Sequence, residues 1–289
     1  MGQIVHFGLG NFARAHLLDY TADAGGDWQV IGVNLRSRTT RDGLAAQDYA
    51  YALKVQGVGV KQIAVINTIL LASEGQQPIL QAMAHADIIS ATVTEKGYHL
   101  DQNGQLNLQD PVIQAELAGP PLRSLIGFIA HNLAQRDRPV TILSCDNRPG
   151  NGDALRQAVQ QFAQAAHLSV DWSLARFPNA MVDRITPATT DPIRQECKDP
   201  MAVPTEAFRE WVIEDCFAGP RPDWPDVQFV QDVRPHELRK LRMLNGSHSA
   251  MALIGAVTGR AFIADCIGED HIRQFVYRLM SQEVAPHLS

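Results

Sequence analysis

The chain has 289 residues, 45% of them hydrophobic, with 25 Lys and Arg against 31 Asp and Glu and a formal net charge of −6. That length holds one large domain or two ordinary ones with a substantial core, and the acidic balance argues against nucleic acid as the main partner, because phosphate binding needs a basic face. No apolar run is long enough to span a membrane, no secretory pattern opens the chain and His6 breaks the myristoylation pattern, so the expected location is cytoplasmic.

In chain order, Gln3 to Phe7 is a short apolar run that predicts a buried strand, followed by a glycine turn and a helical pattern from Phe12 to Ala24. Trp28 to Asn34 is the next predicted strand. Tyr51 to Val55 and Gln62 to Ile66 read as strands flanking Gly57 and Gly59, an antiparallel excursion. Ile79 to Ala86 predicts a helix feeding a strand at Ile88 to Thr94, and Leu125 to Gln135 a helix feeding a strand at Val140 to Ser144. Asn151 to Ala166 is a marked helical pattern with Asn151 as its N-cap. Strands separated by helix-length patterns imply an α/β fold, a Rossmann-type doubly wound parallel sheet carrying the antiparallel excursion.

The composition shifts near Pro187, and Pro192, Pro200, Pro204, Pro220, Pro222 and Pro225 punctuate a loop-rich stretch. Long helices are predicted from about Pro235 to Val257 and from Asp270 to about Val284. A domain boundary near 185 is expected, with the sheet domain in residues 1–185 and a mainly helical second domain in 186–289. Cys145, Cys197, Cys216 and Cys266 form no C-x-x-C pair and no zinc-ligand spacing, so they read as reduced thiols.

Gly8-Leu-Gly10-Asn-Phe-Ala13 fits the G-x-G-x-x-[G/A] fingerprint of dinucleotide binding, after a strand and at the start of a helix. The first glycine permits the tight turn, the second lets a pyrophosphate approach the backbone, and the third small residue lets helix and strand pack closely. An ordinary tight turn between strand and helix satisfies the same pattern. The second strand of such folds usually ends in an acidic residue that binds the ribose hydroxyls of NAD. Here it runs into Asn34-Leu-Arg36-Ser-Arg38 with no Asp or Glu. Arg36 and Arg38 suit the 2′-phosphate of NADP, or form a solvated basic turn.

The helical pattern around Lys240 brings a second chemistry. With Lys240 as the zero of a helix at about 100° per residue, Asn245 falls near ~140° and His248 near ~80°, within one broad face. Oxidation of an alcohol needs a base for the hydroxyl proton. Lysine serves if desolvation or a nearby positive charge, such as a nicotinamide ring, lowers its pKa. Neutral amides stabilise a developing alkoxide, and an imidazole holds a neighbouring hydroxyl. An amphipathic helix with Lys240 in solvent is the plainer reading, against which Asn245-Gly246 stands as a poor mid-helix pair.

Ser144-Cys145-Asp146-Asn147 closes a predicted parallel strand at the edge where open sheets bind ligands, and there Asn147 offers a second amide or is simply a turn residue. Thr94-Glu95-Lys96-Gly97-Tyr98 ends the preceding strand, with Glu95 as a candidate proton relay and Lys96 expected in solvent. Other dehydrogenase chemistries fit less well. Tyr51 and Lys54 are one residue too close for the Tyr-x-x-x-Lys pair of the short-chain class, and no zinc site assembles.

These segments, together with Met181 to Ile185 and Glu206 to Asp215, follow one another as in the polyol-specific long-chain dehydrogenases, and the chain resembles that family, the mannitol dehydrogenase and fructuronate (D-mannonate) reductase group. The resemblance implies a metal-independent NAD(P) enzyme, with NAD favoured over NADP, acting on a small-molecule sugar acid or polyol. It implies Lys240 as general base, Asn147 and Asn245 as oxyanion hole, His248 as substrate-positioning group, and Gly8, Gly10, Phe12 and Arg14 along the cofactor loop, with Asn34 and Arg36 at the end of the second strand. The stretches 206–215 and 240–248 look closer to fructuronate reductases than to mannitol dehydrogenases. Long family members continue past the helix predicted to end near Val284, so residues 186–289 are expected to be the start of their helical substrate domain. The competing expectations are a mannitol 2-dehydrogenase, a catalytically impaired dinucleotide-binding fragment, and a fragment that docks a partner through apolar helix faces around Met251 to Val257.

Overall fold

A computed structural model describes residues 2–288 of the chain. Its twelve strands are β1 (Gly2–Phe7), β2 (Trp28–Asn34), β3 (Tyr51–Val55), β4 (Gly59–Ile63), β5 (Ile66–Leu71), β6 (Ile88–Ala91), β7 (Val140–Ser144), β8 (Ala175–Arg176), β9 (Ala180–Asp183), β10 (Val203–Thr205), β11 (Glu210–Glu214) and β12 (Gln228–Val230). Six of them form one sheet in the order β5-β2-β1-β6-β7-β8, with every neighbouring pair parallel. The chain therefore runs outward from β1 through β2 to β5, then crosses back to β6 on the other side of β1. That reversal is the topological switch point of a doubly wound fold.

The sheet is buried on both faces. Successive β1 residues point to opposite sides, so Ile4 joins a core with Leu18, Tyr51 and Trp211, while Val5 and Phe7 join another with Phe128, Ile129 and Phe162. This is why β1 and β7 lack the polar–apolar alternation of a strand with one face in water. The antiparallel excursion is present, with β3 paired to β4 from Tyr51↔Ile63 to Val55↔Gly59. The predicted run Gln62 to Ile66 straddles the end of β4 and the start of β5, and β5 itself, the third parallel strand, escaped the sequence reading.

Two local expectations are corrected. The predicted helix Phe12 to Ala24 is broken at His16 (φ −118°, ψ −88°) into Asn11–Ala15 and Leu17–Ala24. Gly150, in the left-handed region at φ +61°, caps the helix Asn151–Ala165. Asn151 lies inside the first turn instead, because its buried amide donates to the Asp146 carbonyl at 3.0 Å and the Ala180 carbonyl at 2.7 Å.

The compact units divide between Gln231 and Asp232, not near 185. The proline-punctuated stretch returns to the first unit. β10 pairs in parallel with β3, and β11 lies between β9 and β12 in a third, mixed sheet. Its prolines mark loops between these strands. Arg184 strengthens the tie with a buried ion pair to Asp19 at 2.5 Å.

The second unit is helical among its described residues. Arg234–Arg239 leads into a π-helical turn at Lys240–Asn245 and then Gly246–Thr258, followed by Ile263–Ile267 and Asp270–Arg278. Its core joins Met251, Cys266, Ile272 and Val276. Gly255 permits the closest approach there, since a Cβ on it would meet Cys266 Sγ at 2.8 Å. Met251 is buried, whereas Leu253 is 71% and Val257 89% exposed. No helix among the described residues is long and apolar enough to cross a membrane.

Candidate active site

The carboxyl ends of β1, β2, β5 and β6 open onto one crevice of about 920 Å³ at the switch point, walled by Gly8, Arg36, Ser73, Thr92 and Lys96. The glycine turn is built into its floor. Gly8 has φ +87°, and a Cβ there would lie 2.1 Å from the Thr92 carbonyl oxygen, so only glycine fits between the two strand ends. Gly8 N–H donates to the Val33 carbonyl at 2.9 Å, and the Thr92 hydroxyl donates to the Gly8 carbonyl at 2.7 Å. Gly10 differs. A Cβ on it would meet no heavy atom nearer than the Gly8 oxygen at 3.9 Å, so protein packing does not demand a glycine there. The bare backbone leaves room for a ligand. Ala13 is fully buried, as the close helix–strand contact requires.

Beneath the turn, Thr92 Oγ1 lies 3.0 Å from His6 Nε2, and His6 Nδ1 lies 2.9 Å from Ser90 Oγ. Because the Thr92 hydroxyl already donates to Gly8, Thr92 accepts from Nε2–H, and Nδ1 accepts from Ser90. Burial pushes the His6 pKa down to about 3, so the imidazole is neutral.

Asn34 ends β2 and is buried. Its side-chain oxygen accepts from Leu9 N–H at 3.3 Å, and its amide donates to the Ser37 carbonyl at 3.3 Å. It therefore ties the glycine turn to the loop that carries Arg36. Arg14 is also buried. Its guanidinium donates to the Met201 carbonyl at 2.6 Å and to Asn11 Oδ1 at 2.7 Å, so it braces the turn from behind and is not a free cation. Phe12 stacks on His16 with ring centroids 5.0 Å apart. Arg36 lines the crevice itself.

The end of β7 meets the end of β6 through Asp146, which the sequence placed only within a polar cluster. Its carboxylate accepts from Val93 N–H at 3.2 Å, from Thr94 N–H at 2.8 Å and from Tyr98 Oη at 3.0 Å. Tyr98 Oη also lies 2.5 Å from Ser144 Oγ. Burial raises the Asp146 pKa against the opposing pull of those N–H groups. This clamp holds Thr94 at φ +65° and shapes the crevice wall. Asn147 follows it, exposed at the strand edge. Lys96 is exposed, as expected, and borders the open crevice, whereas Glu95 is exposed and does not line it.

In the second unit, Lys240, Asn245 and His248 are half-buried, while Leu241 and Arg242 are exposed. The π turn closes its hydrogen bonds five residues back, as where Gly246 N–H donates to the Leu241 carbonyl. A turn closed five residues back is wider than an α-helical one, so Lys240 and Asn245 lie closer in angle than the ~140° of an α-helix. His248 follows Asn245 by three residues in regular helix and shares its face. The three polar groups therefore lie along one stripe.

The family model of the mannitol dehydrogenase Rossmann domain matches residues 2–226, and that of the mannitol dehydrogenase C-terminal domain matches residues 232–289. The chain belongs to the mannitol dehydrogenase family. Mannitol 2-dehydrogenase of Pyrenophora tritici-repentis is 39% identical over 99% of this chain and 56% of that protein. D-mannonate oxidoreductase of Escherichia coli is 40% identical over 99% of this chain and 65% of its own length. Among solved structures, Pseudomonas fluorescens mannitol 2-dehydrogenase, a ternary complex with NAD and D-mannitol, superposes with a TM-score of 0.89 at 37% identity, covering 100% of this chain and 65% of that one. The chain thus spans between 56% and 65% of the length of these relatives.

Sequence reasoning missed the Asp146–Tyr98–Ser144 clamp and the His6–Thr92 support of the mannitol dehydrogenase crevice. The only signal was polar residues placed within and just after β1, β6 and β7, where a buried sheet needs apolar ones.

Proposed function

We propose that this chain carries the dinucleotide crevice and the lysine-bearing helix of a nicotinamide-dependent oxidoreductase. It interconverts a secondary alcohol and a ketone on an open-chain sugar acid or polyol, with D-mannonate and D-fructuronate as the substrate pair. The observation that carries this reading is the π turn that begins at Lys240 and ends at Asn245, three residues before His248.

The Gly8–Phe12 turn takes the pyrophosphate of the cofactor, an assignment supported by the open space above Gly10 and by the absence of a side-chain cap at the helix start. When bound, NAD(P) supplies the hydride acceptor or donor. Lys240 Nζ takes the hydroxyl proton during oxidation and returns it during reduction. The Asn245 amide N–H donates to the oxygen as it gains charge, and Asn147 is assigned the second donor. His248 donates to or accepts from a neighbouring substrate hydroxyl and so fixes which carbon reacts. Neutral amides suit this task because they stabilise an alkoxide without holding it permanently.

Mannitol oxidation is the second reading, favoured by relatives of that name at 39% identity beside the mannonate oxidoreductase at 40%. Assays with D-mannonate, D-fructuronate, D-tagaturonate, D-mannitol and D-fructose, each with NAD(H) and NADP(H), separate them. Turnover of the uronate pair is expected. Mannitol turnover without uronate activity replaces the substrate assignment, and dinucleotide binding without any turnover replaces the enzyme reading by a binding fragment.

A further inference from the structure

The walls of the crevice carry Arg36, Lys96, His99 and Arg123 and not one carboxylate. In a site for unphosphorylated NAD, the end of the second strand ordinarily presents an acid to the ribose hydroxyls, and that acid repels a 2′-phosphate. Here the strand ends in Asn34, whose two amide atoms are committed to Leu9 and Ser37, and Arg36 follows two residues later on the crevice wall.

The surrounding charges leave Arg36 available. Arg38 pairs with Asp42 at 2.7 Å, and Arg41 pairs with Asp42 at 2.6 Å and Glu74 at 2.7 Å. Glu74 sits between the wall residues Ser73 and Gly75, so it is the acid nearest in the chain to that part of the crevice. Its carboxylate is turned to the Arg41 guanidinium through both oxygens and does not line the space. Asp110 is likewise held by His99 at 2.9 Å. Among the described residues, Arg36 has no ion-pair partner.

We propose that this crevice admits the 2′-phosphate of NADP(H) as well as the bare ribose of NAD(H), with Arg36 as the residue that pairs with the phosphate. The inference rests on the dinucleotide reading above and adds which cofactor the site accepts. A phosphate monoester adds roughly −1.5 to −2 charges near neutral pH. It would meet a planar guanidinium able to bind it through two N–H groups and no competing carboxylate on the wall.

The test is fluorescence titration of the chain with NADPH and with NADH, and displacement by adenosine 2′,5′-bisphosphate against 5′-AMP. NADPH is expected to bind within about three-fold of NADH or tighter, with the bisphosphate displacing better than 5′-AMP. Arg36→Ala should weaken NADPH at least ten-fold and leave NADH within two-fold. Arg36→Glu should abolish NADPH binding while keeping NADH. NADPH more than ten-fold weaker than NADH in the unaltered chain, or an equal loss of both cofactors in Arg36→Ala, overturns the inference and leaves the dinucleotide reading intact. Binding of neither cofactor overturns the dinucleotide reading itself.

Discussion

Lys240 and Asn245 begin and end a single π-helical turn. A π turn gives up regular α-helical hydrogen bonding, and such turns occur disproportionately at functional sites. Here it brings an amine and an amide onto one stripe. Lys240→Ala is expected to lower kcat by about 10²–10⁴ while dinucleotide affinity is kept, because a general base acts on the substrate proton and not on the cofactor. Asn245→Ala should cost about 10²–10³ in kcat as a lost oxyanion donor. Single-turnover kinetics check both, and near-normal turnover of Lys240→Ala removes the lysine from the mechanism.

Gly8 faces the Thr92 carbonyl across the switch point with no room for a Cβ. Gly8→Ala must both adopt φ +87° and push β6 away from β1. The backbone strain alone is worth roughly 1–3 kcal/mol. Lower stability in urea unfolding and loss of NADH binding are expected together. A variant with the original midpoint and affinity would show that the turn relaxes freely.

Asp146 clamps the loop after β6 through two backbone N–H groups and Tyr98. Asp146→Asn keeps the shape but replaces one acceptor oxygen by a donor, so one N–H loses its partner. A buried unsatisfied donor costs about 1–3 kcal/mol. The urea midpoint should fall, and NADH affinity should weaken because Thr92 and Thr94 wall the crevice. An unchanged midpoint with unchanged affinity would mean that Asp146 does not hold this loop.

His6 and His16 are both fully buried, and burial holds each pKa at about 3 against an ordinary value of 6.5. Between those values the unfolded chain binds more protons than the folded one. Stability is therefore fully present above about pH 6.5 and declines as the pH falls toward 3. Each histidine contributes at most ~1.36 kcal/mol per pH unit in that window. Calorimetry at pH 7.5 and 5.5 should show a lower Tm at the acidic pH, with a shallower decline in His6→Gln. Equal declines in the two proteins would remove His6 from the acid response.

Much of the first unit is legible from sequence because its signals are local. β2 and β7 are apolar runs with sharp ends, and the glycine fingerprint sits between a strand and a helix. β5 was not legible, since Gln62 to Ile66 merges two strands in one apolar run and only pairing with β2 separates them. The boundary near 185 failed for a related reason. Prolines mark a loop, but nothing local reveals that β10 returns to β3, laid down far earlier in the chain, or that β11 pairs across the loop with β9.

The sequence by itself determined the family's residues in order, the strand–turn–helix that builds the crevice floor, and the presence of Lys240, Asn245 and His248 on one helix. Tertiary structure decided how those residues are used. A periodic reading spreads Lys240 and Asn245 by about 140°, and the five-residue hydrogen bonding of the π turn narrows that angle. The resemblance puts Arg14 along the cofactor loop, and in the fold it is a buried brace of that loop. Glu74 follows the wall residue Ser73, yet Arg41 takes its charge and no carboxylate lines the crevice. The two charged cases share a physical reason. Residue type and spacing are written locally, but Met201 and Arg41, which take up Arg14 and Glu74, lie tens of residues from them and meet them only when the chain folds.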